Sequence, residues 1–277
     1  MLRWAVAVAS VIAVLLGGAL LLPERAATPG PAPAAESSAA PSPSAPPPSS
    51  SAPALPLEGR TVIVDPGHQL GNGRHPARIN AAVPDGAGGM KACNTTGTST
   101  NDGYPEATFT WEVALLVRDA LEELGAEVVL TRLTNSVEEW GPCVDERGEA
   151  GNDLAGGDDG TVIKVSIHAD GSGPGGTGFH VISSPVSATS ADASAELATV
   201  MADALAESFP RADYIAGGDG LDVRRDLATL NHARVPTVMV ELGNMRNAEE
   251  AARMRSSEGQ AAYAEALVAG IRAFLES

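Results

Sequence analysis

The sequence predicts an α/β domain, with a mostly parallel central sheet covered by helices on both faces, behind a disordered tether. Three observations carry this. Strand-like and helix-like segments alternate from residue 61 to the end. Several strand-like segments are continuous apolar runs, such as Val62-Ile63-Val64, which suits strands buried on both faces. The stretch ahead of residue 58 has a different composition and cannot form a core.

That first stretch divides in two. Arg3 is followed by an uncharged apolar run from Ala5 to Leu22. A basic start and such a run read as an export signal over residues 1–25. The run is also just long enough to span a bilayer, so a cleaved signal peptide and a retained signal anchor stay open. Residues 26–57 are mostly Ala, Pro and Ser. They carry too little apolar surface to offset ordering entropy and read as an extended linker. Residues 58–277 have a globular composition and a length that suits one core.

Within the domain, residues 61–65 form a strand that ends at Pro66-Gly67. Residues 69–104, rich in Gly, Asn and Thr, make a segment long for a compact domain, and therefore functional or partly structured. Pro105 opens a helix from the first-turn position, where proline is tolerated. Phe109, Val113, Leu116, Val117, Ala120, Leu121 and Leu124 recur at helical spacing, and Gly125 ends the helix. Strands follow at 127–131, 161–167, 178–183 and 237–241. Helices are expected at 143–153, 191–209 and 259–275.

Acidic residues outnumber basic ones 35 to 18, a net charge of -17. That excludes nucleic acid as the main partner, and anionic lipid bound through a basic patch. The spacing of Cys93 and Cys143 fits neither a zinc knuckle nor a redox CxxC pair. In a reducing compartment they are separate thiols. In an oxidising one, which the export signal implies, a Cys93–Cys143 bridge is expected, stabilising by roughly 4 kcal/mol in the chain-entropy model.

In such sheets the site lies beyond the carboxyl ends of the strands. His68 follows the first strand there, His168 closes the 161–167 strand, and Glu241 closes the 237–240 strand. Glu106 lies seven residues before Val113 and shares its inward helix face, whereas Glu112 turns to the solvated side. Two imidazoles and one carboxylate are a ligand set for a single catalytic Zn²⁺. A second carboxylate can then move the proton. His68, Glu106 and His168 are the metal candidates and Glu241 the catalytic candidate. Each alone has an ordinary reading as a turn, cap or helix-start residue; four at one sheet edge point to one site. His75, His180 and His232 read as surface or packing residues.

Val-Asp-Pro-Gly-His (64–68), Glu106, Leu-Thr-Arg (130–132), Ser-Ile-His-Ala-Asp (166–170) and Val-Glu-Leu-Gly-Asn-Met-Arg-Asn (240–247) occur in this order. The set resembles the zinc-dependent N-acetylmuramoyl-L-alanine amidases of the amidase-3 type, over residues 60 to 276. The resemblance implies cleavage of the amide between the lactyl group of N-acetylmuramic acid and L-alanine of the stem peptide. It implies zinc on His68, Glu106 and His168, and Glu241 as the catalytic glutamate. Asn-Thr-Thr-Gly (94–97) and Gly-Pro-Cys-Val-Asp-Glu-Arg (141–147) resemble the stand-alone mycobacterial and actinobacterial members, which carry a disulfide and no separate wall-binding repeat. The chain departs from the family's Asp-Pro-Gly-His-Gly-Gly at Gln69-Leu70, and its 69–104 loop is longer than in many members. That loop is a candidate gate for the groove, pinned by Cys93. The partners expected are peptidoglycan or muropeptide fragments, reached by a monomer outside the cytoplasm, with a membrane anchor if residues 5–22 are retained. A zinc peptidase acting within the stem peptide and a non-catalytic peptidoglycan-binding regulator are the alternatives.

Overall fold

The computed structural model describes residues 54–155, 161–187 and 189–277. Residues 1–25, read above as an export signal, and almost all of the expected linker lie outside the described residues. The strands are β1 (Thr61–Pro66), β2 (Ala82–Pro84), β3 (Met90–Ala92), β4 (Glu127–Leu130), β5 (Val162–Asp170), β6 (His180–Ser183), β7 (Leu221–Val223) and β8 (Thr237–Asn244). The helices are α1 (Pro76–Ile79), α2 (Glu106–Glu123), α3 (Val144–Glu149), α4 (Ala191–Ala206), α5 (Ala228–Asn231), α6 (Ala248–Arg255) and α7 (Ser257–Leu275). Six strands form one sheet in the order β4-β1-β5-β8-β6-β7, and β2 and β3 form a separate hairpin. Every neighbour in the sheet pairs parallel except β6 against β8. The expected α/β class with a mostly parallel sheet is therefore found.

The two faces differ. Alternate residues of β1, β5 and β8 (Val62, Val64, Ile163, Val165, Ile167, Val238, Val240) join one apolar core with α2, α4 and α7. Phe109, Val113, Val117 and Leu121 supply the buried stripe of α2. Each such side chain contributes about 1.5–3 kcal/mol relative to exposure. The stripe is narrower than the periodicity predicts: Leu116 stays exposed and Ala120 half-buried. Glu112 is not solvated either, since it accepts from Gln260 Nε2 at 2.7 Å and from the Tyr104 hydroxyl.

The opposite sheet face carries Asp65, Lys164, Ser166, His168 and Glu241, and it is covered by α3, α5 and the 69–104 segment. Lys164 is fully buried, its Nζ donating to the Arg147 and Gly148 carbonyls at the end of α3 at 2.9 and 2.6 Å. Burial pushes its pKa down to about 8. α3 is shorter than the expected 143–153 because Gly151, at φ 82°, turns the chain away. Pro105 sits at the N-cap of α2, with φ -75° and ψ 143°, rather than in its first turn. β5 and β8 run past their predicted ends, to Asp170 and Asn244. The elements β2, β3, α5, β7 and α6 are too short for periodicity to announce.

Cys93 and Cys143 form a disulfide across 50 residues, joining the long segment to the start of α3. Replacing both by serine is expected to lower stability by about 4 kcal/mol at most, read from denaturant midpoints. If the segment gates the cleft, the same variant also changes turnover or KM; unchanged values would remove the gate.

Candidate active site

His68 is the one described non-glycine residue at positive φ, 59°. A left-handed backbone costs an L-residue roughly 1–2 kcal/mol, so neighbouring groups must hold it. Two buried guanidiniums do so. Arg147 donates to the carbonyls of Pro66 at 2.8 Å and His68 at 2.6 Å. Arg132 donates to Pro66 O at 3.1 Å, and the Thr110 hydroxyl to Gly67 O at 2.9 Å. With the backbone fixed, His68 Nδ1 lies 3.3 Å from Thr95 O. The Thr95 hydroxyl lies 3.2 Å from the same nitrogen, so Thr95 holds Nδ1 and leaves Nε2 facing inward.

Three elements bring the donors together. Glu106, buried in the first turn of α2, places Oε1 3.1 Å from His68 Nε2 and 3.0 Å from His168 Nδ1. Its Oε2 accepts from the Thr98 amide at 2.8 Å. Burial alone would raise the Glu106 pKa, but the two imidazoles overcome that and hold it well below the carboxylate range. One donor atom from each of His68, Glu106 and His168 lies within 4.8 Å of the others.

Glycine is required twice by close approach. A Cβ at Gly67 would stand 2.4 Å from His168 Cε1. At Gly97, where φ is +74°, it would stand 2.9 Å from Glu106 Oε2.

Glu241 sits opposite His168 in the parallel β5/β8 register. Its Oε2 is buried without a hydrogen-bond partner among the described residues. Burial first, then the negative charges of Glu106 and Asp170, push its pKa well above the usual carboxylate value. These four side chains line a cleft of about 370 Å³, together with Lys91 and Thr229 among others. All four sequence candidates thus meet at one place. His168 and Glu241 lie inside extended strands rather than at their ends, because pairing continues past them.

Sequence reasoning gave no role to Asp65, Thr95, Gly97 or Arg147. All four fall inside quoted motifs, which was their only signal. His75 and His232 are loop anchors, with Nε2 2.9 Å from Glu138 O and 3.1 Å from Pro84 O.

A mostly parallel sheet presenting two imidazoles and two carboxylates in one cleft defines a hydrolase of α/β architecture with a cation-type donor set. The chain belongs to the amidase-3 family of N-acetylmuramoyl-L-alanine amidases, whose sequence profile matches residues 62–273. It is 47% identical over 222 residues to the N-acetylmuramoyl-L-alanine amidase Rv3717 of Mycobacterium tuberculosis, covering 79% of this chain and 88% of that protein. The crystal structure of the N-acetylmuramyl-L-alanine amidase Ami1 from Mycobacterium smegmatis superposes with a TM-score of 0.73 at 45% identity, covering 79% of this chain and 98% of that one. The apo form of Ami1 from Mycobacterium abscessus gives 0.72 at 45% identity, covering 79% and 99%. Family membership decides for an amidase over the stem-peptide peptidase and the binding-only regulator.

Proposed function

We propose that this amidase cleaves the bond between the lactyl group of N-acetylmuramic acid and L-alanine, outside the cytoplasm, using one Zn²⁺ held by His68, Glu106 and His168. The observation that carries the reading is the convergence of two imidazole nitrogens on one buried carboxylate oxygen. That donor set suits zinc, with a fourth position left for solvent or substrate. Bound there, zinc would supply Lewis acidity, bringing a water pKa to about 7 and polarising a carbonyl. The chain's own residues do the rest. Thr95 and Arg147 keep His68 oriented. Thr98 and the Ala169 amide hold Glu106. The Glu241 carboxylate takes a proton from the attacking water and returns it to the alanine nitrogen as the C–N bond breaks. The products are a lactyl carboxylate and a peptide with a free amine.

The test is digestion of purified muropeptides with and without a chelator, read by mass spectrometry. The expected product is an intact stem peptide beginning with a free L-alanine amine, absent after chelation and restored by zinc. Cleavage within the peptide, or turnover indifferent to chelation, would overturn the reading. Gly67→Ala is expected to displace the His168 ring and weaken zinc binding about 10-fold or more, measured by competition with a chromophoric chelator.

The disulfide accords with an oxidising compartment. Among the described residues no helix is long and apolar enough to cross a membrane. An anchor would therefore rest on residues 5–22, and fractionation of the full chain decides whether they are retained.

A further inference from the structure

His180 is 2% exposed, yet its Nδ1 has no hydrogen-bond partner among the described residues. It lies directly opposite Glu241 in the antiparallel β6/β8 register, while Glu241 lies opposite His168 across β5/β8. The three side chains thus form a row on one sheet face: His168, Glu241, His180. Residues opposed in an antiparallel pair have Cβ atoms about 4.5–5.5 Å apart. Two buried polar atoms without partners, His180 Nδ1 and Glu241 Oε2, therefore belong to adjacent side chains.

Packing alone does not account for this ring. The neighbouring residues on the same face, Ile182 and Met239, form a small apolar cluster with Leu230. A phenyl ring would fill the same volume without leaving a buried polar atom unpaired, which costs about 1–3 kcal/mol. The Asp170 carboxylate stands 3.7 Å from His180 Nδ1, and the Tyr214 ring packs edge-on at 6.1 Å between centroids. Asp170 comes from β5, Tyr214 from the segment before β7, and Asp222 and Arg224 from β7 and its end. With Glu241 these are the titratable and charged groups that face His180 from the packed elements. Burial lowers the His180 pKa, against the pull of Asp170 and Asp222. A neutral imidazole still offers one N–H donor.

We infer that His180 is a positioning residue for Glu241: its one N–H is given to the buried Oε2, directly or through one water, and so turns the other carboxylate oxygen to the cleft. The inference rests on the proton-transfer role of Glu241. The two groups make no direct contact among the described residues, so the inference requires a side-chain rotation or a single bridging water between them.

The experiment compares His180→Phe, His180→Gln and the unaltered protein for zinc per chain, melting temperature, KM, kcat and the pH–rate profile. The expected result for His180→Phe is kcat lower by about 10- to 100-fold, with zinc content and KM unchanged. The acid limb of the profile also moves. His180→Gln, which keeps a donor, recovers most of kcat. His180→Met makes the same comparison if the phenyl ring prevents folding. In a Glu241→Gln background, His180→Phe adds no further loss. Unaltered kcat and pH profile in His180→Phe, or a loss that His180→Gln does not recover, overturns the inference. Glu241→Gln at full turnover would instead overturn the underlying reading of Glu241.

Discussion

Glu241→Gln is expected to keep one zinc per chain and to lose turnover by about 10²- to 10⁴-fold, the range for removing a positioned general acid–base group. Metal should stay because Glu241 is not part of the cluster of His68, Glu106 and His168. Glutamine preserves the side chain's shape but cannot take a proton from water or return one to the leaving nitrogen. The loss should therefore fall on kcat with little change in KM. The raised pKa of Glu241 has a second consequence. A carboxylate base works only when deprotonated, so the rate should fall as pH drops through a value above the ordinary 4.5 of a glutamate. Metal analysis of the purified variant and a pH–rate profile of the unaltered enzyme check both parts. Near-normal turnover in Glu241→Gln, or loss of metal with the side chain, would remove the assigned role.

Arg147→Met is expected to destabilise the domain by about 3–5 kcal/mol, because it leaves a buried charge uncompensated. Asp65 is completely buried, with Oδ1 2.6 Å from Arg147 Nη1 and Oδ2 2.6 Å from the Ser166 hydroxyl. Burial would raise its pKa. The Arg147 charge and the hydroxyls of Ser166 and Thr131 overcome that and lower it to about 2. A depressed carboxylate pKa contributes stability that is present above the unfolded value, near 3.8, and lost as pH falls through about 2. That linkage is worth about 2 kcal/mol. In Arg147→Met the sign reverses, since burial then favours protonated Asp65. The gap between variant and parent in thermal or denaturant unfolding should narrow as pH falls from 7 towards 3. The same substitution frees the His68 carbonyl, so zinc binding should weaken as well. Asp65→Asn added to Arg147→Met should recover part of the stability. A gap that does not change with pH would show that the pair carries no buried charge.

Much of the site was legible because its signals are local. Val62 to Val64 announces a strand by apolar continuity, and the 3.6-residue period over Phe109, Val113, Val117 and Leu121 announces α2. A polar residue that breaks such a run at its carboxyl end marks the functional edge of a parallel sheet. That is how His68, His168 and Glu241 stood out. Glu106 followed from its angular relation to Val113. None of these inferences needs to know which strand lies beside which.

The rest depends on pairing between residues far apart in the chain. The Asp65–Arg147 pair spans 82 positions, and the Glu112–Gln260 contact spans 148. Likewise, the approach of Gly67 to His168 exists only because β1 and β5 are neighbours. His180 shows the division most clearly. In sequence it is one histidine in a short strand; only the antiparallel register of β6 against β8 puts it beside Glu241. The sequence by itself determined five of the six strands of the main sheet, the long helices, most of the apolar face of α2 and the four candidate site side chains, since each follows from short-range periodicity and residue chemistry. The tertiary structure alone decided strand order, the buried charge partner of Asp65, the left-handed backbone at His68 and the neighbour of Glu241. The physical reason is that register between distant segments is settled by packing of the whole core.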